Sequence, residues 1–399
     1  MANPANSITP NMATPQVVLG APNLIGIVNL TQPGIPDVFA SLPGFSDANP
    51  RKIDGTEFTY FWEYGSRQGA PYVPVDAPSK TVQVPPIGRT SGTTFTTKID
   101  INIKPAYLAS LLQYDSLAKQ QDGANEIRRQ VQQPTQRIKN NRIILMASAM
   151  FQGYVWWDKN GAILTSSTNA VSSINFGIPT TNTGGCNIFN TAGGDTLYDW
   201  QAAGTNIPQQ LTNFKKQAMQ NTSYPVKHAF YGSNIAGYFA NNTEVQAYLS
   251  RDTFRKDGGA HQFLDTGELP DGTNGSTLFG IAWHPAWQQY QLTENSDGSA
   301  SGTPTSFVGS DSVVFCPDPD PSWIRWLEGS SPVPADADNF RMGTPQSLAD
   351  MGIAFKHGQY AYCERKNNPV GATVIVGDNC IPMILNPFVV YQATVTIMS

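Results

Sequence analysis

What this chain has least of is charge. Asp, Glu, Lys and Arg make up 14% of its 399 residues, against about 25% in a typical soluble protein. A charge-poor surface is a weak barrier to association, so either partners cover much of it or neutral polar groups keep it wet. The net balance is acidic, −5 at pH 7. That excludes a dedicated cationic DNA-binding domain but leaves room for a local basic stripe. Cysteine is scarce as well. Cys186, Cys316, Cys363 and Cys380 form no C-x-x-C pair, so a disulfide scaffold is excluded and four thiols in a reducing cytoplasm are expected. No apolar run reaches the roughly 18 residues of a membrane span. The opening MANPANSITPNMATPQ has neither the basic nor the apolar section of a signal peptide. Synthesis in a cytoplasm, solubility there and no N-terminal processing are the expectations.

Catalytic signatures are missing too. There is no P-loop, no H-E-x-x-H and no G-x-S-x-G. The nearest serine, in Tyr231-Gly232-Ser233-Asn234, lacks the second glycine of a nucleophile elbow, and Ser233 reads as a helix cap. His228, His261, His284 and His357 are scattered without metal-ligand spacing. They read as packed or surface residues rather than ligands or bases. The run Asp318-Pro319-Asp320-Pro321 and the pair Asp336 and Asp338 could offer carboxylates to Ca²⁺, but EF-hand spacing and its glycine are absent. Asp and Pro are ordinary turn formers. No cofactor, no metal and no catalytic residue are expected.

In place of charge the chain has Asn, Gln, Ser and Thr, with 35 Gly and 30 Pro, and 40% of it is hydrophobic, enough for a substantial core. Residues 1–55 read as an extended N-terminal arm. Residues 56–104 read as a long hairpin. Its first strand places Phe58, Tyr60, Trp62 and Tyr64 on one face. Its return strand alternates Phe95, Thr97, Ile99, Ile101 and Ile103 with polar neighbours. The intervening segment carries two Pro-broken strand pieces, Tyr72–Val75 and Thr81–Val84. A hairpin this long with little core of its own is marginal unless it packs on another chain.

Residues 106–118 and about 124–156 read as helices. In the second, Ile127, Val131, Ile138, Leu145 and Ala149 form one stripe, and Pro134 on that stripe should bend or break it. Arg128, Lys139 and Arg142 project within about 60° of one another beside the stripe. They are candidates either for intersubunit salt bridges or for non-specific contacts to DNA phosphates. Further on, Ile207, Leu211, Phe214 and Ala218 share a helical face, and Asn242 or Thr243 can cap the next helix. Strand signals return at the end, where Val389, Tyr391, Ala393, Val395 and Ile397 alternate with smaller or polar residues. The class is α+β.

This order of elements resembles the major capsid proteins of tailed bacteriophages related to lambda's head protein, which share the HK97-like fold. Local matches are Ala147-Ser148-Ala149-Met150-Phe151-Gln152-Gly153 at the end of the long helix, Ser173-Ile174-Asn175-Phe176-Gly177, and Tyr198-Asp199-Trp200. Others are Ser223-Tyr224-Pro225 through Leu249, Phe307 to Val314, and Ile381-Pro382-Met383-Ile384-Leu385-Asn386-Pro387 with Phe388–Thr394. Together they span about residues 56–397.

The resemblance implies an arm (1–55), an E-loop hairpin (56–104), a P-domain with spine helix (105–190), an outer A-domain (191–353) and return strands of the P-domain (354–399). It further implies a shell-forming head protein assembled in the bacterial cytoplasm as hexamers and pentamers around double-stranded DNA. The implied partners are a portal protein, a separate scaffolding protein and a decoration protein, with no membrane. The intersubunit contact candidates are Tyr72, Val73, Val75, Lys80, Val82, Val84 and Arg89. Some relatives crosslink a hairpin lysine, but that chemistry is not carried over to Lys80. The competing readings are a β-rich tail or adhesin protein, against which the long basic helix speaks, and a glycoside hydrolase, which would need paired carboxylates ~5–9.5 Å apart.

Overall fold

Two periodicities, of two and of 3.6 residues, decide most of the architecture. The computed structural model describes residues 21–35, 37–45, 50–63, 87–111, 117–158, 163–164, 167–183, 199–250, 263, 267–291, 293–294, 300–301, 304–334, 353–367 and 370–396. Helices and strands are both abundant, as an α+β class requires.

The spine is one helix, Leu117–Gln152, of 36 residues, about 54 Å long at 1.5 Å per residue. Its stripe is as the period predicts: Ile127, Val131, Ile138, Leu145 and Ala149 are all buried. Of the bend or break expected at Pro134, the break does not occur: the helix runs through it. Val131 and Ile138, one turn to either side, are held in the same core, and that packing outweighs the hydrogen bond proline removes.

The helix lies on a six-stranded sheet whose centre is the long strand Val370–Ile384. That strand pairs antiparallel with Ile324–Pro334, Tyr360–Asn367 and Phe95–Ile103. Ile353–His357 and the arm strand Arg51–Ile53 add to Ile324–Pro334, the latter in parallel. A second sheet of four strands orders Tyr391–Thr394, Ser312–Cys316, His228–Tyr231 and Ala282–Pro285, the last two parallel. Helices Ile207–Thr222, Ile235–Asn241 and Thr243–Leu249 share its core. The face of Ile207, Leu211, Phe214 and Ala218 is buried as read. Asn242 caps Thr243–Leu249, its side chain accepting from Val245 N–H at 3.0 Å.

Several expectations are corrected. The first hairpin strand, Glu57–Glu63, pairs not with Phe95–Ile103 but with Ile87–Thr93. Phe95–Ile103 leaves the hairpin and joins the six-stranded sheet, its alternating face turned to the spine helix. The strand Ile324–Pro334 pairs in the six-stranded sheet, and Tyr391–Thr394 pairs in the four-stranded one. Ser233 caps nothing. Asn234 holds the N-cap position of Ile235–Asn241, and its amide bonds Asp311 instead. Among the described residues no helix is long and apolar enough to cross a membrane.

Candidate functional site

Three places hold the residues that the sequence singled out or passed over. The first is the hairpin stem. Alternation sends Phe58, Tyr60 and Trp62 to one face of Glu57–Glu63, where Phe58 and Tyr60 are buried. Trp62 meets Phe388 edge-on with ring centroids 5.5 Å apart and donates to Thr90 Oγ1 at 3.2 Å. Thr90 in turn donates to the Asn175 carbonyl at 3.3 Å. The indole lies in a slot walled by glycine. A Cβ on Gly88 would sit 2.2 Å from its ring, and one on Gly177, whose φ is +78°, at 2.6 Å. The stem is therefore anchored in its own chain. Its other face is open: Phe61 is 63% exposed and Ile87 56%, and Arg89, directly across from Phe61 in the register, is exposed too. The remaining hairpin candidates, Tyr72, Val73, Val75, Lys80, Val82 and Val84, lie outside the described residues.

The second place is the basic side of the spine helix, whose three cations are not brought together on one surface. Arg142 is buried. Its Nε donates to Asp378 Oδ2 at 2.5 Å, and its terminal nitrogen donates to Asp378 Oδ1 at 2.8 Å and Glu328 Oε1 at 3.1 Å. Its guanidinium stacks 5.4 Å from the Trp326 ring. The partners come from the two long sheet strands of the same chain, which corrects the expectation that Arg142 meets DNA or a neighbouring subunit. Lys139 Nζ donates to the carbonyls of Thr31 at 2.7 Å and Asn29 at 3.3 Å, closing the end of arm helix Ala21–Leu30. A cation at a helix C-terminus meets the negative end of its dipole. Arg128 is half-buried on the outer turn, one residue from the exposed Arg129–Glu126 ion pair at 2.7 Å.

The third place is one that reading the sequence missed. His228 and His284, dismissed as scattered, face each other with Nδ1 and Nε2 3.0 Å apart. Parallel pairing sets Phe230 against His284 and so brings residues 56 apart in sequence into contact. His228 Nε2 is 2.9 Å from Asp318 Oδ1, Lys227 Nζ donates to Asp318 Oδ2 at 2.6 Å, and His284 Nδ1 is 3.1 Å from Ser41 Oγ of the arm. Burial, assisted by the neighbouring His228, pushes His284 down to about 4. Burial also lowers His228, outweighing the opposing pull of Asp318. For Asp318 burial acts upward, but hydrogen bonds from Lys227 and His228 outweigh it and hold the carboxyl below its usual range. Asp320 is the turn former that was expected, its side chain accepting from Ser322 N–H at 2.7 Å. Asp336 and Asp338 lie outside the described residues.

Residues 44–331, well over half the chain, match the family model of the phage major capsid protein E. Among curated proteins no sequence matches. Similar solved structures include a prophage protein of E. coli CFT073 assigned as a capsid protein, at 14% identity and a TM-score of 0.49, with 94% of this chain and 99% of that chain covered. A phage-related protein of Bordetella bronchiseptica RB50 aligns at 7% identity and 0.48, covering 96% and 99%. The mature capsid of bacteriophage PhiM1 aligns at 7% and 0.40, covering 88% and 86%. The assignment rests on the family match, not on these distant likenesses.

Proposed function

From the premise that this chain belongs to the phage major capsid protein E family, we propose that it encloses packaged double-stranded DNA in a shell of hexamers and pentamers built in the host cytoplasm. A member of this family is a structural protein of the virion capsid and assembles with copies of itself. The observation that carries the reading is the family match over residues 44–331. The open face of the hairpin stem supports it. Phe61 and Ile87 expose apolar surface, beside Arg89, on a stem whose opposite face is fixed within the chain. That pairing of anchored and open faces suits a contact made by a neighbouring subunit, with Tyr72, Val73, Val75, Lys80, Val82 and Val84 extending it along the hairpin. The division into arm, hairpin, spine domain and outer domain belongs to the same proposal. So do a portal, a separate scaffolding protein, a decoration protein and non-specific contact with DNA.

The chain catalyses nothing on this reading. Ser41, His284, His228 and Asp318 have the connectivity of a nucleophile and base, but an imidazole held down to about 4 is a poor proton acceptor at neutral pH, where general bases work best with matched pKa values. Electron microscopy of the expressed protein, with its scaffolding partner where needed, tests the reading. Shells are expected from the wild type. Phe61→Asp should leave folded subunits and no shells. Folded wild-type protein that stays monomeric at high concentration with the scaffold present would overturn it.

A further inference from the structure

We infer that residues 37–45 of the arm form an acid-sensitive latch, closed over the four-stranded sheet by the hydrogen-bonded chain Ser41–His284–His228–Asp318 while both imidazoles are neutral. The latch lies within one chain and stands whether or not the shell reading does.

The geometry comes first. The arm segment seats Phe39 and Phe45 against Phe230, with centroids 5.2 and 6.2 Å apart. Phe230 itself packs 5.3 Å from the His284 ring. Trp326 Nε1 fixes the segment by donating to the Phe45 carbonyl at 3.0 Å. Ser41 is exposed while His284 beneath it is 3% exposed, so the segment is what separates that imidazole from water.

The carboxylate of Asp318 sets the direction of the chain, because it can only accept. His228 Nε2–H donates to it, which leaves His228 Nδ1 to accept from His284 Nε2–H. His284 Nδ1 then accepts the Ser41 hydroxyl. One added proton can sit on His284 Nδ1 if the Ser41 hydroxyl reverses, but it puts a cation where water does not reach. A second proton, on His228 Nδ1, would face the His284 N–H across 3.0 Å with no acceptor between them.

The charged and titratable groups around the pair are few. Lys227 and Asp318 flank His228, and the buried Cys316 thiol lies opposite it in the sheet register. Burial raises that thiol, so it stays neutral. Asp271 is the carboxylate that acts on His284, and its upward pull is smaller than the downward effect of burial.

The sign follows. A histidine whose closed-state pKa is depressed contributes stability that is complete above its ordinary value of about 6.5 and is lost as pH falls toward about 4. Lifting the segment returns His284 to water and to its ordinary pKa. Between those limits the opening equilibrium rises with acid, by about fifty-fold or more at pH 4.5 relative to pH 7.

Hydrogen–deuterium exchange of the full-length protein as unassembled subunits, with times scaled for the intrinsic pH dependence, tests this. Protection of amides in 37–45 should fall by tens-fold between pH 7 and 4.5, while protection in 143–150 of the spine helix holds. The protonation of the His284 imidazole, followed by NMR in the same wild-type protein, should rise through the same window. His284→Gln keeps a donor and an acceptor but cannot titrate, so it should flatten the amide profile. Unchanged protection of 37–45 at pH 4.5, or opening with no change at the His284 ring, overturns the latch even if His284→Gln fails to fold. Opening that persists undiminished in a folded His284→Gln overturns it as well.

Discussion

The two halves of the spine helix obey different rules. From 118 to 141 burial follows a stripe: Ile127, Val131 and Ile138 are closed off, while 121, 125, 129, 133 and 137 are exposed. From 142 to 150 every residue is buried. The first half is an amphipathic helix laid on one sheet. The second is apolar or small all round, the mark of a helix enclosed on every side, and here it is enclosed by the arm, the short sheet carrying Val155 and Ile174, and the strand ends near Ile324 and Ile384. Arg142 stands at the boundary and is the one cation inside that buried stretch. A charge is tolerated in the enclosed half when its partners are built in, whereas the charges of the amphipathic half all sit at exposed or half-buried positions.

Removing the boundary cation breaks that contrast most severely. Arg142→Met leaves Asp378 and Glu328 buried with no counter-charge. Losing one side of a buried ion pair costs about 3–5 kcal/mol, so urea unfolding of subunits at pH 7 should show a loss of that size. A loss below about 1 kcal/mol would show that the ion pair contributes little beyond the packing that methionine preserves.

Lys139 tests the middle of the range. It is half-exposed and holds two carbonyls at the end of the arm helix. Lys139→Gln should cost about 1 kcal/mol, the scale of a surface hydrogen bond, with the loss seen as faster amide exchange in 21–31 and not in 143–150. Equal loosening of both regions would mean that the two halves of the helix are not independent.

How much of this was legible depended on sequence distance. The stripe of the first half was readable because helical periodicity is local. The all-round burial of the second half was not, since its walls come from strands near residues 155, 324 and 384. The hairpin register was misread because Ile87–Thr93, IGRTSGT, lacks apolar alternation. It pairs because Gly88 makes room for Trp62 and Gly92 for Ile174. Arg142 shares a helical projection with Arg128, and projection cannot reveal that Asp378, 236 residues on, arrives on one side only. The histidine pair left no local signal, because a parallel strand pairing creates it.

Arg128 carries the smallest expected effect and the sharpest use. It lies half-buried on the amphipathic half, and with Arg142 turned inward it is the member of the original basic trio still open to the two roles first weighed for it, contact with DNA or with a neighbouring subunit. Surface substitutions away from caps and cores usually change stability by less than about 0.5 kcal/mol. Arg128→Gln should therefore leave the unfolding of isolated subunits unchanged within that margin. If Arg128 pairs with a carboxylate of the next subunit, empty shells of the variant should melt below wild-type shells although their subunits do not. If it meets phosphate, empty shells should melt alike, and filled heads should release their genome at lower salt than wild type, because one fewer cation holds a salt-sensitive contact. Identical empty and filled heads would leave Arg128 a solvated residue and remove the spine helix from both roles.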